Sequence, residues 1–285
     1  MIKKNRMKWG DDMSSIGKNI ARYRKQRGMT QEELAERVGL SFQAVSRWET
    51  GATMPDVDTL VRLAGILEAS VDTLVGHTHT PKASSPYQEW YKAPEYYWGT
   101  EPSSLCLKII SLLPPVRPYR LIDVGCGEGK DAVFMARCGY DVTAFDLAQA
   151  GIDKAKRLAE QAGVYVNAFV ADVNEYRPEG EYDVVFSSGV LHYIRPELRG
   201  EIFESYKAHT AEGGVHAMNV FVQKPFLAPP PEKEESYDWK SGELFMRYHD
   251  WQLLHTEEKI FDCNSSGVPH KHAMDVMAAR KISRL

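Results

Sequence analysis

The sequence is poor in cysteine. Four stand among 285 residues, Cys106, Cys126, Cys138 and Cys263. None belongs to a CxxC pair, so neither a disulfide framework nor a cysteine metal knuckle is expected, and the thiols read as buried in a reducing compartment. Long apolar runs are also missing. Nothing approaches the ~20 residues that a membrane span needs, and Met1 to Ser15 is polar and charged, unlike the apolar segment of a signal peptide. A cytoplasmic chain without membrane contact is the expectation. Net charge is slight, −4, but unevenly spread. Residues 1–76 hold 12 basic and 10 acidic side chains, against 23 and 29 in residues 77–285. Residues 1–29 alone hold 9 basic and 2 acidic. A basic arm over residues 1–13 suits phosphate contact, whereas the acidic remainder does not suit lying on a polyanion. Hydrophobic content is an ordinary 43%, sufficient for full cores, and the length suggests two domains.

Residues 14–76 carry helix signals at short intervals. Ile16, Ile20, Ala21 and Tyr23 mark a first helix that stops at Gly28. Thr30 caps a second, Gln31 to Val38, with Glu33 completing a capping box. Gly39 breaks the chain, and Ser41 caps a third, Phe42 to Glu49. Pro55-Asp56 opens a fourth helix through Leu67, and Ser70 to Val75 gives a short fifth. The second and third have the dimensions of a helix-turn-helix. The run Met29-Thr-Gln-Glu-Glu-Leu-Ala-Glu-Arg-Val-Gly39 with Val45-Ser-Arg-Trp-Glu-Thr-Gly51 resembles the Cro/CI (XRE-type) repressor domain. That resemblance implies that Gln31 bonds backbone phosphate and helps orient Gln43. It also implies that Phe42, Gln43 and Arg47, after the Ser41 cap, face the major groove. Gln suits adenine and Arg suits guanine by bidentate geometry. Arg24 and Glu49 match a structural pair of the family. A double-stranded operator read by a homodimer follows.

Residues 77–94 are rich in Pro, Ser, Thr and His and read as a linker. His77-Thr-His79 lacks further ligands nearby, and no metal is expected. Beyond it, Leu121, Ile122 and Val124, interrupted by Asp123, read as a buried strand. Gly125, Gly127 and Gly129 follow, then a helix from Asp131 to Arg137. A glycine turn between strand and helix lets backbone approach a ligand, with helix N–H groups aimed at it. A second strand, Asp141 to Phe145, ends at Asp146, 21 positions after Gly125, where a carboxylate can accept from both hydroxyls of a ribose. A third, Tyr165 to Val170, leads to Asp172, placed for an exocyclic amine. The dinucleotide spacing G-x-G-x-x-G needs a small residue where Lys130 stands. The G-x-G-x-G found here instead resembles motif I of the class I S-adenosylmethionine (SAM) methyltransferases, whose order of elements residues 95–285 follow. The whole chain is then an all-α five-helix domain followed by a Rossmann-like α/β domain. Its sheet has seven mostly parallel strands, with the last antiparallel.

SAM is the cofactor this resemblance implies, held by Trp98, Asp123, Gly125, Cys126, Gly127, Asp146, Leu147, Asp172, Val173 and Ser188. Tyr96, Tyr97 and Trp98 offer aromatic faces for a sulfonium, or simply pack. The fourth strand, Tyr182 to Ser187, runs into Ser188-Gly-Val-Leu-His192. An amino-methylating DNA enzyme carries D-P-P-Y or N-P-P-Y there, and a cytosine C5 enzyme a Pro-Cys nucleophile. Neither is present, so the acceptor reads as a small molecule. The fifth strand is Val215 to Val222, and Ala228 to Ser236 is a stiff charged insertion suited to roofing a pocket. The last strands are Glu257 to Cys263 and His272 to Arg280. Residues Trp239 to Lys281, with Gly242-Glu-Leu244, Tyr248 and Trp251, resemble the TehB tellurite-resistance methyltransferases. Phe261-Asp262 stand where that family carries a His-Arg pair.

Methyl transfer is an in-line displacement that depends on placement in a dry pocket. A protic acceptor also needs a base, whereas a thiol-like acceptor or a chalcogen oxyanion needs orientation and charge neutralisation. His192, His270 and His272 are the candidates for either task, with Arg247 as an anion clamp. A domain that only senses SAM is the alternative to turnover.

Overall fold

The structure is a computed structural model that describes residues 9–67, 69, 71–75, 85–228, 236–263 and 268–283. The basic arm up to residue 8, the pair His77 and His79, and most of the Ala228–Ser236 insertion lie outside these residues. The chain divides into two compact units, residues 1–79 and 80–285.

The first unit holds helices α1 (Trp9–Gln26), α2 (Gln31–Val38), α3 (Phe42–Glu49), α4 (Val57–Leu67) and α5 (Val71–Val75). The first helix thus starts before its expected apolar stripe. Ile16, Ile20, Leu34, Val45, Trp48 and Leu63 form the core between them. The Thr30 hydroxyl accepts from the Glu33 N–H while the Glu33 carboxylate accepts from the Thr30 N–H, and Ser41 caps α3 through Ala44. At Gly17 the first and third helices nearly touch: a Cβ there would lie 2.0 Å from the Trp48 carbonyl oxygen. Only glycine allows that approach.

The second unit is built on one sheet in the order β3-β2-β1-β4-β5-β7-β6. Its strands are β1 (Arg120–Val124), β2 (Asp141–Asp146), β3 (Val166–Val170), β4 (Tyr182–Ser187), β5 (Thr210–Val222), β6 (Gln252–Cys263) and β7 (His270–Arg280). β1 to β5 are parallel, and β7 enters antiparallel between β5 and β6. The helices are α6 (Tyr87–Trp90), α7 (Ser104–Leu112), α8 (Lys130–Arg137), α9 (Gln149–Gln161), α10 (Arg199–Ala208) and α11 (Glu243–Met246). Buried apolar residues form a core on each side of the sheet, one around Phe145, Val185, Met218 and Trp239 and the other around Leu121, Val184, Phe186 and Ile152. Strand β6 is five residues longer at its start than the apolar pattern indicates. It is an edge strand carrying Gln252, His255, Glu257, Glu258 and Lys259, and charge of this kind protects an open edge while hiding the strand from a hydrophobicity reading.

The expected linker is shorter at its C-terminal end. Residues 85–94 belong to the second unit: α6 lies in this stretch, and the Ala150 N–H donates to the Gln88 side chain at 3.1 Å. Proline and serine made the stretch read as punctuation, but Tyr87, Trp90 and Tyr91 give it aromatic surface to bury.

Candidate functional site

The C-terminal ends of β1 to β4 open on one cavity of about 740 Å³. All ten residues that the sequence points to for a cofactor line it: Trp98, Asp123, Gly125, Cys126, Gly127, Asp146, Leu147, Asp172, Val173 and Ser188. The chain reverses sharply at Gly125, φ +75°, and a Cβ there would sit 2.5 Å from a Val190 methyl. That position therefore has neither the dihedral nor the room for a side chain.

Carboxylates dominate the polar wall. The two Asp146 oxygens accept from the Gly127 and Ala148 N–H groups, each at 2.9 Å. Burial raises the Asp146 pKa and these backbone donors oppose the rise. Asp172 accepts from the backbone and side chain of Asn174 at 2.8 and 3.1 Å. Asp123 is 1% exposed, and its Oδ2 has no hydrogen-bond partner. Burial, then Asp131 and Asp146, push its carboxyl well above the ordinary range. Such a carboxyl gains from a cationic ligand group beside it. Burial also raises the Cys126 thiol well above its ordinary value, which keeps it protonated.

One wall is aromatic, and it comes from the stretch expected to be linker. Tyr87 and Tyr91 line the cavity with Trp98, whose indole N–H donates to the Tyr91 hydroxyl at 3.0 Å. A Tyr or Trp in a proline- and serine-rich run was the only signal that could have found this wall. Tyr96 and Tyr97 are placed otherwise: Lys154 Nζ lies 5.2 Å from the Tyr96 ring centre, and Tyr97 stacks on Trp90 at 5.4 Å. Beneath them lies a buried ion pair that the sequence did not indicate. Lys154 donates to Glu128 at 2.6 Å with the side chains 3% and 2% exposed. Lys154 also donates to the Glu95 carbonyl at 2.5 Å, and Glu128 accepts from the Trp98 N–H at 3.3 Å. The pair ties the segment carrying Trp98 to the glycine turn.

The four expected catalytic side chains lie outside the cavity lining. Arg247 pairs with Glu243 at 3.0 Å, and its guanidinium lies 5.2 Å from the Phe203 ring and 5.3 Å from Trp239. It braces α11 against the core and is not a clamp at the cavity. His192 is buried, and desolvation with the nearby His272 depresses its pKa to about 3. Phe221, which does line the cavity, packs against two of these histidines: its ring is 4.9 Å from His192 and 4.6 Å from His272. His270 and His272 sit on β7 and face each other, Nε2 to Nε2 at 2.8 Å.

In the first unit, the Arg24 guanidinium grips Glu49 at 2.6 and 2.9 Å, as the resemblance implies. Gln31 does not reach toward Gln43; its amide donates to Glu49 at 2.6 Å and joins that network. Phe42, Gln43 and Arg47 are exposed on α3, and Val45 and Trp48 point into the core.

Residues 95–268 match the family described as "Tellurite resistance protein TehB". The chain belongs to the TehB family. Residues 20–74 of this TehB-family chain match a helix-turn-helix family. A protein of Haemophilus influenzae named "Probable S-adenosyl-L-methionine-dependent methyltransferase TehB" is 22% identical, over 74% of this chain and 81% of that one. "Hemagglutinin 1" of Eikenella corrodens is 32% identical over 146 residues, 51% of this chain and only 48% of that protein. The crystal structure of TehB from Haemophilus influenzae superposes with a TM-score of 0.57 at 22% identity, covering 68% of this chain and 65% of that one, and shows the same fold. The chain thus carries a helix-turn-helix domain followed by a SAM-dependent methyltransferase domain. The cavity suits that cofactor: the glycine turn leaves room for close backbone approach, and the unpartnered Asp123 oxygen is available to a cation. Among the described residues no helix is long and apolar enough to cross a membrane.

Proposed function

We propose that this chain is a DNA-binding regulator whose TehB domain transfers the methyl group of SAM to a small, soft acceptor. The observation that carries the proposal is the meeting of all ten expected cofactor residues on one cavity. When bound, SAM supplies an electrophilic methyl on sulfur. Asp146, whose oxygens each hold one N–H, keeps lone pairs for the two ribose hydroxyls. Asp172 takes the adenine amine, and Asp123 faces the ammonium of the methionine part. Tyr87, Tyr91 and Trp98 offer ring faces to the sulfonium.

His192, His270 and His272 are not among the residues that line the cavity, and Arg195 is an exposed cation on the cavity rim. These walls favour an acceptor that needs placement and charge neutralisation more than proton removal, such as a thiolate or a chalcogen oxyanion. In the helix-turn-helix domain, Phe42, Gln43 and Arg47 read base edges after the Ser41 cap, Gln31 contacts phosphate, and a homodimer spans two half-sites.

Calorimetric titration with SAM, then product detection over thiol, selenite, tellurite and catechol acceptors, tests the proposal. Binding with turnover of a sulfur or chalcogen acceptor supports it. Turnover of the catechol alone refutes the acceptor class, and SAM binding without turnover of any acceptor leaves a SAM-sensing regulator.

A further inference from the structure

Three side chains with metal-binding chemistry meet at the end of the β6–β7 hairpin, outside the lining of the cofactor cavity. Cys263 on β6 is the direct cross-strand partner of His270 on β7, and His272 pairs with Phe261 two residues along. Side chains of a strand alternate between faces, so His270 and His272 emerge on one side, and the cross-strand pairing brings Cys263 to that side. One ligand atom from each of Cys263, His270 and His272 lies within 4.8 Å of the others. All three residues are half-buried, which leaves a path for an ion.

The two imidazoles are aimed at a common point. His270 and His272 bring Nε2 to Nε2 at 2.8 Å, and His270 Nδ1 lies 2.7 Å from the Val268 carbonyl oxygen. A carbonyl only accepts, so His270 Nδ1 carries the proton and its Nε2 presents a lone pair. A backbone carbonyl holding the far nitrogen is the usual outer support of a metal-ligating histidine. The neighbouring charges Lys271 and Asp262 pair with each other at 2.7 Å on the opposite side of the strands.

We propose that Cys263, His270 and His272 form a site for one thiophilic divalent ion of the zinc class. One sulfur and two imidazole nitrogens are the donor set such ions prefer, and three protein ligands leave a fourth position open. Ligand atoms around a tetrahedral zinc stand roughly 3.3–3.6 Å apart, from bond lengths of about 2.0–2.3 Å. The paired nitrogens therefore open by about half an ångström and the sulfur swings inward. Coordination releases the Cys263 thiol proton to solvent, and His272 moves its proton from Nε2 to Nδ1. The ring of His272 packs on Phe221, so the ion would stand one side chain behind the cavity wall.

Cobalt(II) is the probe, titrated into the full chain under reducing conditions. One equivalent should give visible bands of a tetrahedral ion together with a near-ultraviolet thiolate-to-cobalt band. Cys263→Ser should abolish the thiolate band, and His272→Gln should weaken cobalt binding at least ~10-fold, since even an outer-support residue costs about that much. Cys138→Ser and the double variant His77→Gln/His79→Gln should leave both signals unchanged. SAM titration of each variant reports whether the fold persists. The site is refuted by a wild type without the thiolate band. It is equally refuted by a band that survives Cys263→Ser in a folded variant, or by one lost with the His77/His79 double variant.

Discussion

Along the parallel half of the sheet, β1 to β4, the residues that make the cavity stand at strand ends. Along the antiparallel half, β5 to β7, the residues of chemical interest stand on strand faces or in the turns between strands. The difference explains why nine of the ten expected cofactor residues, all but Trp98, meet, while His270 and His272 on β7 and Arg247 after α11 do not. His192, just past β4, is instead buried away from the cavity lining. Parallel strands point their C-terminal ends the same way, so the first residues past each strand share a crevice whatever the details of packing. In a hairpin the face of each residue follows from register, and a one-residue slip moves it to the other side. A motif on the parallel half thus locates a site, and a histidine on the antiparallel half locates only a strand.

The largest expected effect tests what holds the parallel half to its aromatic wall. Lys154→Met leaves Glu128 buried and unpaired, which costs about 3–5 kcal/mol by the usual measure of broken buried pairs. Adding Glu128→Gln should restore most of that loss in denaturant unfolding. A single variant as stable as wild type would show that the pair does not anchor the Trp98 segment.

Next comes a matched pair of substitutions, one from each half. Asp146→Ala should weaken SAM binding at least tenfold, from the loss of about 1.5–3 kcal/mol per charged hydrogen bond. Arg247→Met, on the other half, should leave SAM affinity within about threefold even if stability falls, because the guanidinium contacts Glu243 and two rings instead of the cavity. Equal losses in the two variants would erase the distinction between the halves.

In the helix-turn-helix domain, Gln43→Ala and Arg47→Ala should each cost roughly 1–3 kcal/mol of discrimination between operator and non-operator DNA, with SAM affinity unchanged. Competition binding at fixed salt measures it, and unaltered discrimination in both variants would displace the reading surface from α3. The smallest effect expected is coupling between the domains. SAM should alter operator affinity by on the order of 1 kcal/mol, and operator should alter SAM affinity by the same factor. Equal operator affinities with and without saturating SAM would make the two domains independent.

Local signals made much of this molecule legible. The Thr30–Glu33 box, the Ser41 cap and the Arg24–Glu49 pair are short-range or pairwise patterns, and the structure holds all three. The glycine turn and the acids after β2 and β3 were readable because strand–turn–helix order alone places them. Contacts between distant segments were not readable. Gly17 is required by the Trp48 carbonyl, Lys154 by Glu128, and the Tyr87–Tyr91 stretch by the cavity it walls, and none of these partners lies near its mate in sequence. Arg247, His270 and His272 were misplaced for the same reason: charge and ring nitrogen are visible in the sequence, but the partner that occupies them is not. His192 is set apart by burial instead.

Of the six tryptophans, Trp48, Trp239 and Trp251 are buried and Trp98 is 46% exposed on the cavity. Its indole N–H rests on the Tyr91 hydroxyl, so occupancy of the cavity alters both its solvent contact and its dipolar surroundings. The chain therefore carries its own optical reporter. Ligand entry should shift emission to shorter wavelength as water leaves the ring, and Trp98→Phe should silence that shift while calorimetry still registers binding. An unchanged shift in Trp98→Phe would move the reporter to Trp90, stacked on Tyr97 a few residues away.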